Sequence, residues 1–129
     1  VSNRYMFFSE NELKCKCGQC EFGQHDIDPF FMSKLIDLRM DAGFPFKVYS
    51  AYRCPYWDAQ VGGKGPHLGH AIDLGVYGHQ ANYIVSRAKH FGFTGVGVKQ
   101  HGPYKSRFIH LDDLHDSKTH RRPWIWSYS

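Results

Sequence analysis

Apolar positions along the chain follow two rhythms, and each rhythm predicts a kind of element. In "DIDPFFMSKLIDLRMDAGFP", Phe31, Leu35, Leu38 and Ala42 recur at the spacing of a helix with one face in a core. Asp28 is placed to cap that helix, Pro29 suits its first position and Gly43 its stop. A second helix is predicted over "HQANYIVSRAKHFG", with Ala81, Ile84, Val85 and Ala88 on one face and Gly92 as terminator. Between and after the helices lie short strand-like runs: "FKVYS" (46–50), "AIDLGV" (71–76), "TGVGVK" (94–99) and "RFIHL" (107–111). "AIDLGV" alternates and reads as a central strand. The stretch 51–65 holds Pro55 and three glycines and reads as irregular loop with one helical turn. The start of the chain reads as loop and its end as a tail. Strands and helices mix without a strict βαβ alternation, which predicts an α+β fold with a small, largely antiparallel sheet flanked by helices.

Composition narrows the class. The 129 residues are enough for one domain and leave little room for a second, so 1–129 is expected to be a single unit. Hydrophobic content of 42% and charged content of 22% are those of an ordinary soluble globular protein. Aromatics at 16% are rich, which suits a small core and an aromatic-walled cleft. No apolar run approaches the roughly 20 residues of a membrane span, and "VSNRYMFFSENELK" lacks the pattern of a secretory signal. The net charge of +4 is scattered apart from "HRR" at 120–122, a weak pull toward an anionic polymer and no nucleic-acid footprint. The chain is expected to act as a monomer.

Of the four cysteines, Cys15, Cys17 and Cys20 sit in "CKCGQC" and Cys54 stands far away. A structural zinc wants four ligands, and Cys54 or His25 can supply the fourth. A disulfide to Cys54, or plain reduced thiols packed in a loop, fit the same spacing. The sequence leaves all three readings open.

The densest chemistry is "GPHLGHAIDL" (65–74), a glycine turn feeding a strand. Catalytic zinc takes three nitrogen or oxygen ligands from protein and leaves a fourth place for water. His67 in the turn, Asp73 on the strand and His110 on the distant "RFIHLDD" strand offer such a set. Singly, each is equally a hydrogen-bonded core residue or a turn cap.

Several segments, in order, resemble one family: the zinc D-alanyl-D-alanine carboxypeptidases and L-alanyl-D-glutamate peptidases of bacterial cell-wall peptides, whose fold the hedgehog signalling domain shares. "FSENELKCKCGQC", "SAYRCPYWDAQVGG", "GPHLGHAIDL", "GFTGVGV", "RFIHLDD" and "RPWIWSY" resemble the carboxypeptidase-like branch common in phage and prophage proteins. The resemblance implies a hedgehog/DD-peptidase-like fold and a zinc peptidase acting on peptidoglycan stem peptides. It also implies His67, Asp73 and His110 as zinc ligands and Arg53, in "SAYR", as the arginine that faces substrate. The chain departs from the family at the first ligand, with five residues between His67 and Asp73 where the family has six. His70 is the alternative ligand, but on a strand it would face away from Asp73. Gly65 also replaces the usual serine. The family's acidic residue three positions before the last ligand is Arg107 here. Asp112, sharing a strand face with His110, is therefore expected to be the catalytic carboxylate, as base or as an orienting group, with Asp113 and His101 in reserve. Trp124 and Trp126 are expected to wall the cleft or cover the core. Gly62 and Gly63 are expected to permit a tight backbone path near the site. A zinc-holding module without activity is the alternative function.

Overall fold

A computed structural model describes residues 6–20 and 26–129. A one-turn helix α1 (Glu10–Leu13) is followed by α2 (Pro29–Ala42), strand β1 (Val48–Ser50) and α3 (Pro55–Gln60). Then come β2 (Ala71–Leu74), α4 (Gly78–Arg87), β3 (Gly95–Lys99), β4 (Phe108–Asp112) and β5 (Trp124–Ser127). No helix among the described residues is long and apolar enough to cross a membrane.

The helix termini follow side-chain chemistry. Asp28 accepts from the Phe31 amide at 3.0 Å, Pro29 opens α2, and Gly43 closes it at φ +73°, a region that favours glycine. The start of the chain is more ordered than loop, because Ser9 and Glu12 form a reciprocal cap at α1. The S-x-x-E spacing was the legible signal for it. The stretch 51–65 contains more than a single turn: α3 runs six residues, with the Cys54 sulfur accepting from the Trp57 amide.

The strands form one sheet in the order β1-β2-β4-β3-β5. All pairings are antiparallel except β3 with β5, which is parallel. The expected α+β architecture with a largely antiparallel sheet is present, and the tail adds its fifth strand. The four residues of "WIWS", next to Pro123, carry too short a signal to be read as a strand without the neighbour they pair with. One sheet face carries Ile72, Leu74, Ile109 and Leu111, all buried, against Phe31, Leu35, Leu38 and Ile84 of α2 and α4. Burial of this kind stabilises by about 25 cal/mol per Å² of apolar surface, so this face carries the fold. Residues two apart share a face, which leaves Asp73, His110 and Asp112 on the other one.

The candidate metal centre and its cleft

Register places the site. Asp73 on β2 pairs with His110 on β4, His110 pairs with Gly97 on β3, and Gly97 pairs with Trp126 on β5. One row across the sheet thus runs carboxylate, imidazole, bare backbone, indole. The next row runs Ala71, Asp112, Gly95, Trp124. The two glycines do specific work here. A Cβ on Gly97 would meet the Trp126 indole nitrogen at 2.7 Å, and one on Gly95 would meet Asp112 Oδ1 at 2.3 Å. Side chains of the flanking strands therefore lie across β3, over ground that only glycine leaves open.

His67 arrives from the turn before β2, and its carbonyl accepts from the Arg53 amide at 2.8 Å. Its Nδ1 lies 2.7 Å from the Ala51 carbonyl and can only donate there, so Nε2 is left as the ligating nitrogen, 3.3 Å from Asp73 Oδ1. His110 Nδ1 lies 3.0 Å from the same oxygen, while its Nε2 meets Asp112 Oδ2 at 2.8 Å. The shortened spacing between His67 and Asp73 still delivers the imidazole. Ligands at 2.0–2.1 Å around a tetrahedral ion stand about 3.3 Å apart. The observed 3.0 and 3.3 Å fit that polyhedron, and the donor set of two imidazoles and a carboxylate suits zinc.

Electrostatics set the protonation of this cluster. Burial alone would raise the Asp73 carboxyl, but hydrogen bonds from His110 and His67 outweigh it and hold it well below the usual range. Burial would lower His110, but its bonds to Asp112 and Asp73 hold it raised. Asp112 is fully buried, yet hydrogen bonds from His110 and Arg122 bring it down to about 2. Arg122 grips it with Nε at 2.8 Å and Nη2 at 2.7 Å, and its guanidinium lies 5.1 Å from the Trp126 ring centre.

Arg53 lies beside the triad, with Nη2 3.6 Å from Asp73 Oδ2. Ser50 at 3.2 Å and the buried Asp58 at 3.2 Å hold the other guanidine nitrogens. Asp58 also accepts from the Gly65 amide at 3.1 Å, and a Cβ on Gly63 would strike its carboxylate at 2.1 Å. Gly63 thus permits the close path expected of it, and the reason is Asp58, whereas a Cβ on Gly62 would meet nothing and that residue serves only by its φ of +74°. Asp58 and Arg122 escaped the sequence reading, since their value lies in partners remote along the chain.

These groups lie at the floor of a cleft of about 930 Å³. Trp124, Trp126, Phe108 and Tyr128 line it, with Arg53, Lys64, Arg121 and His120 as its polar rim. Both tryptophans therefore wall the cleft. His70 lies elsewhere, 3.0 Å from Asp113, which also binds Lys34 at 2.8 Å. His101 meets the Tyr128 carbonyl and Arg107 meets the Gly102 carbonyl, and neither they nor Asp113 line the cleft. His25 lies outside the described residues.

A family model described as Peptidase M15 matches residues 6–112. A search of curated proteins finds no match. The matched span includes every residue of the triad.

Proposed function

Because the chain belongs to the peptidase M15 family, whose members are zinc-dependent peptidases, we propose that it hydrolyses an amide bond in peptidoglycan stem peptides. The bond is of the D-alanyl-D-alanine carboxypeptidase or endopeptidase type. The observation that carries the reading is the convergence of His67, Asp73 and His110 at the floor of an open cleft. Zinc, when bound, polarises a carbonyl and makes water acidic enough to attack at neutral pH.

The chain's own residues do the rest. The Ala51 carbonyl fixes the His67 tautomer, and Asp112 does the same for His110 from behind. With both its oxygens engaged by His110 and Arg122, Asp112 suits the orienting role better than that of base. Arg53, braced by Asp58 and Ser50, presents a fixed charge to a substrate carboxylate or scissile carbonyl oxygen. Lys64 and Arg121 extend that charge along the cleft, which suits an acidic peptide. His120 is the non-ligand imidazole lining the cleft; its Nε2 meets the Lys64 carbonyl and its Nδ1 the exposed Thr119 hydroxyl, a partner it can exchange, and it is assigned proton transfer to the leaving amine.

The test is digestion of purified sacculi followed by mass spectrometry of the released products. Zinc-loaded protein is expected to release D-alanine or a stem-peptide fragment. Chelator, His67→Ala and His110→Ala are each expected to cut release by more than about a hundredfold, beyond the 10–100-fold typical of groups that merely orient ligands. In the same digest His120→Ala lowers kcat and leaves bound zinc unchanged. A second reading, a zinc-holding binding module, is favoured by Arg107 standing where the family carries an acid. It predicts zinc-dependent binding of muropeptides with no release of amine.

A further inference from the structure

Three groups of ligand-type side chains converge among the described residues. One is the triad. The second, Asp28, His70 and Asp113, already holds the Lys34 ammonium and needs no ion. The third is made of Cys15, Cys17, Cys20 and Cys54, whose sulfurs all lie within 4.8 Å of one another.

Their arrangement is more than apolar packing. Gly18, at φ +76°, turns the chain so that Cys17 and Cys20 face each other with sulfurs 3.3 Å apart, a non-covalent distance. Cys15 and Cys54 are buried, and 39 residues separate them along the chain. Backbone amides point at the sulfurs: Cys54 N–H at Cys15 (3.2 Å), Gln19 N–H at Cys17 (3.3 Å) and Trp57 N–H at Cys54 (3.4 Å). A thiol is a weak acceptor, whereas a thiolate is a strong one. Amides aimed at sulfur stabilise the thiolate form, and four thiolates gathered together need a cation to offset their repulsion. A zinc ion with Zn–S near 2.3 Å places its sulfurs about 3.8 Å apart, inside the observed spread.

We propose that Cys15, Cys17, Cys20 and Cys54 coordinate a second, structural zinc ion, separate from the His67–Asp73–His110 centre. Four protein ligands close the coordination shell, so this ion does no hydrolysis. Each thiol that binds gives up its proton to solvent, and the metal–sulfur bonds replace chain entropy as the clamp. The clamp joins the segment after α1 to the N-terminus of α3. Cys54 directly follows Arg53, so the ion fixes the backbone that carries the substrate-facing guanidinium. The site is independent of which bond the cleft attacks.

Elemental analysis of the purified wild-type chain tests this, with X-ray absorption at the zinc edge. About two zinc ions per chain are expected, one with an all-sulfur shell. His67→Ala should leave the sulfur-bound ion alone, and Cys17→Ser should leave the triad's ion alone. Cobalt substituted into wild-type protein should show intense sulfur-to-cobalt charge-transfer absorption, kept in His67→Ala, which requires no cysteine variant to fold. A single zinc with no sulfur in its shell, iron in the cysteine site, or a disulfide among the four found by peptide mapping would overturn the proposal. A chain with two zinc ions and no turnover would leave this site standing and refute the peptidase reading instead.

Discussion

At the residue scale, the cluster behind His110 is expected to govern both metal binding and acid stability. Asp112→Asn keeps the shape but removes the charge that makes His110 a better ligand. It is expected to weaken zinc binding about 10–100-fold, read by competition with a chromogenic chelator. The metal-free protein should show two opposite pH dependences. Asp112 has its usual value of 3.8 when unfolded and about 2 when folded, so its contribution is present above 3.8 and lost as pH falls toward 2. That shift corresponds to ~2 kcal/mol, and urea titrations should lose the slope in Asp112→Asn. His110 is shifted upward, so its contribution is full below its usual 6.5 and disappears as pH rises through the raised value. Zinc must displace that proton. Its affinity should therefore climb with pH, with proton release visible by calorimetry in buffers of different ionisation heat.

At the element scale, β3 serves two faces with two residue types. Val96 and Val98 pack toward the core, while Gly95 and Gly97 leave space for Asp112, Arg122 and Trp126. Gly95→Ala puts a methyl into the Arg122–Asp112 ion pair and should cost about 1–3 kcal/mol in denaturant melts, the usual penalty of overpacking. It should also loosen zinc, because His110 loses a firmly held partner. The strand itself was legible from "TGVGVK", and α2 was legible down to its cap and stop, because those signals act over a few residues. The use of the glycines was not legible. It depends on what β4 and β5 bring alongside.

At the scale of the whole molecule, the cleft collects positive charge on a chain whose basic residues look scattered in sequence. Arg122 is held by the buried Asp112 and Arg53 by Asp58, while Lys64 and the exposed Arg121, loosely paired with Asp116, line the cleft and are the cations expected to meet an anionic substrate. Lys64→Ala with Arg121→Ala should raise KM for an anionic muropeptide and leave kcat unchanged, with added salt imposing the same rise on the wild type. A rise confined to kcat would place these cations at the reacting bond instead. Among the described residues, three clusters of ligand-type side chains converge, and their convergence is seen only at this scale, since each joins segments dozens of residues apart.

By itself the sequence determined α2 and α4, four of the five strands and the α+β class, while the three candidate ligands came from the family resemblance its ordered motifs carry. The elements follow from interactions between near neighbours along the chain, where period, cap and turn chemistry leave few alternatives. Only the tertiary structure decided that the tail pairs in parallel with β3, that Arg122 closes on Asp112, and that Asp58 braces Arg53. It alone, too, chose Cys54 to meet the "CKCGQC" thiols from among the readings the spacing allowed. Such contacts depend on which segment lies beside which, and on register too, since a one-residue slip in pairing would turn Asp73, His110 and Asp112 to the other face of the sheet.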